Sequence, residues 1–88
     1  MSVVENLPSR RASVRGVDLD GNAVTLAWAV SKQLYRCPGC REYLAVGSEH
    51  VVVRIAPQSG SSYHQHWHRA CATRIRRELR SVRTVPVR

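Results

Sequence analysis

From Val14 the chain alternates between apolar and polar positions. Val14, Val17 and Leu19 lead up to Asp20-Gly21-Asn22, and Val24, Leu26, Trp28 and Val30 follow at a period of two. Such alternation gives a strand one core-facing side, and Asp-Gly between two alternating runs signals a hairpin. A β-hairpin is therefore predicted over 13–31. After the linker SKQLYR and the tetrapeptide CPGC, the run REYLAVGSEHVVVRIAP reads as two short extended pieces around Gly47-Ser48, a second hairpin whose longer strand is HVVVRI. The stretch PQSGSSYHQ, rich in Pro, Ser and Gly, reads as a loop. From His68 the period becomes helical. His68, Cys71, Ala72, Ile75, Leu79 and Val82 share one arc of roughly 100°, and the helix is expected to end near Val82, before Pro86. Residues 1–12 hold Pro8, a pair of arginines and no periodicity, which predicts a flexible basic arm, and 84–88 read as a tail.

Length limits what this pattern can build. A chain of 88 residues makes one domain, expected over 13–83. A domain of this size buries only about 60 to 65 % of its unfolded surface, so it needs a staple beyond its core. Thirteen valines and no phenylalanine favour strands over a helical bundle.

The staple is visible in the spacing of metal-binding side chains. Cys37-Pro38-Gly39-Cys40 is followed, after twenty-seven intervening residues, by His68-x2-Cys71. Zinc takes four N or S ligands in a tetrahedron, and two such pairs from separate segments supply one. Pro-Gly makes a tight turn that aims both sulfurs at one point, and residues at i and i+3 share a helix face. The expected cofactor is one structural Zn²⁺ held by Cys37, Cys40, His68 and Cys71. A closed set of four leaves no position for water. His66 is the alternative to His68 as ligand, His64 is read as a loop histidine, and Trp67 as a core plug beside the metal.

The order of knuckle, hairpin and helix bearing the last two ligands resembles a treble-clef zinc finger. The CxxC…HxxC ligand pattern is similar to half of a LIM-type module. The predicted class is thus α+β: a small zinc-stabilised domain with an N-terminal β-hairpin (13–31) and a treble clef (35–83) of zinc knuckle, β-hairpin and C-terminal α-helix. Treble clefs include the HNH or His-Me finger nucleases, and the Glu49-His50 pair stands where that family carries an acidic residue and its general-base histidine. The resemblance implies His50 as base and Glu49 beside it. It departs after the last ligand, where such nucleases carry Asn and this chain has Ala72, so the catalytic metal would need His64 or His66 instead.

Charge selects the partner. Fourteen basic residues, thirteen of them Arg, stand against six acidic ones, for a formal net charge of +8. Guanidinium groups match phosphates bidentately. The expected partner is nucleic acid, double-stranded DNA first, met by Arg69, Arg74, Arg76, Arg77, Arg80 and Arg83 on the helix and its end, with Arg10, Arg11 and Arg15 as a further arm contact. Two other classes are weighed: a metal-dependent nuclease of HNH or His-Me finger type, active or degenerate, and a protein-interaction adaptor or homodimer. No small-molecule substrate is expected. The N-terminus has no signal-peptide core and no apolar run is long enough for a membrane span, and three cysteines in a CxxC-type pattern point to metal rather than disulfides. A cytoplasmic protein is expected.

Overall fold

The computed structural model describes residues 7–87, which form seven strands and one helix. They are β1 (Ala12–Val17), β2 (Ala23–Val30), β3 (Tyr35–Arg36), β4 (Tyr43–Leu44), β5 (Glu49–Ala56), β6 (Tyr63–Trp67), α1 (Arg69–Glu78) and β7 (Arg80–Pro86). β1 and β2 form a hairpin whose turn is set by one carboxylate. Asp18 accepts hydrogen bonds from the backbone N–H of Asp20 (2.9 Å) and Asn22 (2.8 Å) and from the Asn22 amide (3.1 Å). Gly21 supplies the left-handed residue at φ +83°.

Five strands make one antiparallel sheet in the order β6-β5-β2-β1-β7, and β3 and β4 pair separately. The period-two pattern sets its two faces. Val14, Leu26 and Val53 stand in register, as do Val24 with Ile55 and Trp28 with Val51. All but Trp28 and Ile55 of these are buried, and together with Leu44, Trp67, Ala72 and Leu79 they form the core. α1 lies over this face through Ala72, Ile75 and the following Leu79. Positions offset by one, among them Arg15, Thr25, Ala27 and Arg54, take the opposite face.

These strands overturn the α+β treble-clef class: the domain is mostly antiparallel β with one short helix. The helix stops at Glu78, since Leu79 is already extended (φ −79°, ψ 141°). The segment read as its last turn becomes β7, paired with β1 from Ala12↔Pro86 to Val17↔Arg80. Val82, Thr84 and Val85 are β-branched and favour extended backbone. β1 offered an unpaired ladder edge, which a helix ending in free carbonyls could not satisfy. The second hairpin is also re-partnered. Tyr43–Leu44 turns back onto Tyr35–Arg36, while Glu49–Ala56 pairs with β2 and β6. The last three residues of the predicted loop PQSGSSYHQ, Tyr63 to Gln65, belong to edge strand β6.

Part of the expected arm, residues 1–6, lies outside the described residues. Pro8 is buried, and its carbonyl accepts a 2.6 Å hydrogen bond from the Arg69 guanidinium. Arg10 sits 4.9 Å over the Trp28 ring and pairs with Glu49 at 3.3 Å. Among the described residues, no helix is long and apolar enough to cross a membrane.

Candidate metal centre

Two local structures carry the four ligand positions. In the first, residues 37–42 close a knuckle between β3 and β4, with the Arg41 N–H bonded to the Cys37 carbonyl (2.8 Å) and the Cys37 N–H to the Glu42 carbonyl (2.9 Å). Arg41 takes a left-handed conformation, φ 66°, to complete the turn. In the second, His68 is the N-cap of α1 and Cys71 follows one turn later. Gly39 lets the two meet: a Cβ there would lie 2.6 Å from Trp67 Cζ3 and 3.0 Å from Cys71 Cβ. Trp67, buried in the core, packs directly under the knuckle.

The ligand atoms of Cys37, Cys40, His68 and Cys71 all lie within 4.8 Å of one another. This donor set fits one zinc ion. Three sulfurs and one imidazole nitrogen are the set a closed structural site uses, and a metal about 2.0 to 2.3 Å from each accounts for separations of this size. His68 presents Nδ1, 3.2 Å from Cys40 Sγ, while its Nε2 lies 3.2 Å from the Tyr43 carbonyl. With Nε2–H donating to that carbonyl, the Nδ1 lone pair is left facing the thiols, an orientation typical of a metal-bound histidine. The Tyr43 carbonyl, supplied by β4, had no signal in the sequence.

The electrostatics also suit a dication. Burial would raise the Cys37 thiol, but N–H groups of His68, Cys40 and Gly39 and the His68 side chain outweigh it and bring its pKa down to about 6. The His68 N–H itself lies 3.4 Å from Cys37 Sγ. Cys71 is pushed up to about 11 by burial and then by the neighbouring thiols of Cys37 and Cys40. Three thiols this close resist ionising together unless a cation neutralises them, and a bound Zn²⁺ supplies that charge. No position in the set is left open for chemistry.

The remaining histidines fall elsewhere. His66 is not among the ligands: it stacks on Tyr35 with ring centroids 3.5 Å apart and planes 9° from parallel. His50 is 2 % exposed. Its Nδ1 takes the Ser31 hydroxyl at 3.1 Å and its Nε2 lies 2.8 Å from His66 Nδ1. Burial holds His50 below the ordinary imidazole value, and the nearby His68 adds to this. Both ring nitrogens are engaged inside the protein, so His50 has no free nitrogen with which to reach an attacking water. Glu49 beside it faces out and pairs with Arg10. His64 stands exposed on β6.

The six predicted phosphate-binding arginines do not share one surface. Arg69, Arg74, Arg76 and Arg77 are on α1, over the core face, and Arg69 is engaged with Pro8. Arg80 and Arg83 belong to β7. There the register brings together residues from the whole chain. Arg83 pairs with Arg15, Arg15 with Thr25, Thr25 with Arg54 and Arg54 with His64. This is one row of side chains across all five strands on the face away from the helix. At 4.7 to 4.9 Å per strand it is about 19 Å long. Arg15 was expected as a contact of a flexible arm and instead belongs to β1, and Arg54 was legible only as a polar position of an alternating strand.

The comparisons bear on the metal ligands. Residues 17–73 match the family described as Rv1322 family protein. This chain belongs to that family. The matched segment includes all four ligand positions and ends before β7. Relatives of the Rv1322 family include "Uncharacterized protein Rv1322" of Mycobacterium tuberculosis (strain ATCC 25618 / H37Rv) and "Uncharacterized protein Mb1356" of Mycobacterium bovis, each 42% identical over 48 residues, 52% of this chain and 49% of the relative. The match thus spans about half the length of these relatives. No solved structure matches this chain.

Proposed function

We propose that this member of the Rv1322 family is a zinc-stapled β-sheet module that binds nucleic acid, duplex DNA first, by its phosphate backbone. The metal is structural in this reading, and the contact surface is the open sheet face rather than the helix. The cross-strand row Arg83-Arg15-Thr25-Arg54-His64 carries the proposal. It sets three guanidinium groups on one face of the sheet with no acidic side chain in the row.

The neighbouring positions Ala27, Ala29 and Val52 are small or branched, and Tyr35 is stacked on His66, which pairs with Val52. Within the row, His64 at the edge is the one ring that could meet a base. Such a face suits contacts that position a backbone without reading its sequence. The net charge of +8 favours the encounter. The reduced cytoplasm is the compartment this reading requires, because the zinc ligands must stay thiolates.

The test is binding of the zinc-loaded protein to a labelled random duplex across a salt series. Two to three neutralised phosphates predict a log–log salt slope of about −2 to −3, and substitution of Arg15 and Arg54 by Gln should flatten it by about two. No binding at about 50 mM salt, where such contacts are strong, would overturn the proposal. A larger loss from Arg74→Gln with Arg77→Gln than from Arg15→Gln with Arg54→Gln would move the contact to the helix.

A further inference from the structure

The pairing of β1 with β7 contains an unfavourable arrangement. Arg15 and Arg83 are directly opposite each other, on the same face. Like charges in this position repel at close range. One step along, the register slips between Arg15 and Val17, so that Ser81 and Val82 of β7 face the single residue Gly16. The bulge is held by a residue that does not favour it: Ser81 is in the left-handed region at φ 53°. Gly16 is required there, because a Cβ would lie 2.9 Å from the Arg80 carbonyl oxygen and 3.0 Å from Leu79 Cβ. Charge repulsion and a left-handed non-glycine residue thus coincide at one place on the sheet edge.

The bulge opens a groove of about 420 Å³ beside the two arginines, lined also by Thr25, Ser81, Gly16 and Val17. Each of its polar side chains, two guanidinium groups and two hydroxyls, can donate. No acid lines it. The nearest in sequence, Asp18, is committed to its own turn through Asp20 and Asn22. The side chains of Arg15, Thr25, Ser81 and Arg83 have no hydrogen-bond or ion-pair partner among the described residues.

We infer that the groove at the β1–β7 bulge is a seat for one phosphate group, gripped jointly by Arg15 and Arg83 with the hydroxyls of Thr25 and Ser81 beside them. A phosphate accepts from all four side chains and cancels the repulsion between the arginines. The inference rests on the nucleic-acid reading for the source of that phosphate, a backbone diester; free phosphate is the other source of the same chemistry. On this view the row is not a uniform field. One end of it is a fixed anchor, and Arg54 is a looser contact beyond it.

A double-mutant cycle on the zinc-loaded full chain tests this, using the labelled duplex with Arg15→Gln, Arg83→Gln and the pair, and Arg54→Gln for reference. A joint seat predicts that each single change loses nearly as much affinity as the double, roughly tenfold, because one guanidinium cannot hold the phosphate alone. Thermal melting should show the single variants at least as stable as the parent at low salt, since each removes a repulsion. If the two losses simply multiply, with each equal to that of Arg54→Gln, the seat is refuted and the nucleic-acid reading survives. If the parent protein does not bind duplex, that reading fails and inorganic phosphate decides the groove by ¹⁵N NMR. Saturable shifts confined to Gly16, Thr25, Ser81 and neighbouring amides would keep the seat as a free-phosphate site, and their absence would remove it.

Discussion

The two flanks of this domain are held together by different means. On one, the β3–β4 knuckle, the end of β6 and the start of α1 meet at four ligand side chains, with Cys37, Leu44 and Trp67 as the buried contacts around them. β3 and β4 are two residues each and pair only with one another, too little to be stable unaided. On the other flank β1 and β7 are joined by a ladder from Ala12↔Pro86 to Val17↔Arg80 over a core of Val14 and Leu79 with Val82 against it, and it needs no metal. Where strands are short and apolar residues few, four ligand positions stand at the join. Segments with alternating valines and leucine hold through pairing and burial.

Removing the metal should separate the two flanks most sharply. Chelation of zinc, or Cys37→Ser, should abolish the order of residues 35–44 and of α1. The binding free energy of a structural zinc, about 10 to 16 kcal/mol in small zinc peptides, is also folding free energy. Far-UV circular dichroism and amide NMR would check this, and a chelated protein with an unchanged spectrum would show that the core suffices. Next in size is Leu26→Ala, in the centre of the sheet and 0 % exposed, which should cost about 2 to 5 kcal/mol. A denaturant titration that also follows zinc release would show whether the flanks unfold as one unit. If the metal remains bound after the sheet melts, they are separate.

Gly39→Ala acts at the joint between knuckle and core. Its Cβ would press on Trp67 and Cys71, and a stability loss of about 1 to 3 kcal/mol is expected, with weaker zinc binding in a competition assay. A smaller effect should come from pH. His50 is held below its ordinary value of 6.5 by burial, so below that value the unfolded chain takes up a proton that the folded protein refuses. The stabilisation is complete above about pH 6.5 and is lost as pH falls. Melting temperatures should stay level from pH 8 to about 6.5 and decline from there toward pH 5, less steeply in His50→Gln.

The ligand set was legible because it is local at both ends. A CxxC turn and an HxxC pair at a helix start place their side chains by short-range geometry, whatever the rest of the chain does. The Asp-Gly turn and the alternation of Val24, Leu26 and Trp28 are local in the same way. Leu79 and Val82 misled because positions three apart can face one core either as a helix or as an extended chain interrupted by a bulge. Tyr63–Trp67 was missed because an edge strand between polar neighbours carries little apolar signal, and only Trp67 of its five residues is buried.

The sequence by itself determined the zinc ligands, the first hairpin, the beginning of the helix and the excess of positive charge, since each depends on residues close together in the chain. Tertiary structure decided where the helix ends, which strands pair, that His50 is sealed inside, and that Arg83, Arg15 and Arg54 stand in one row. Those outcomes follow from competition for open ladder edges and from register, and both compare segments tens of residues apart that no local pattern encodes.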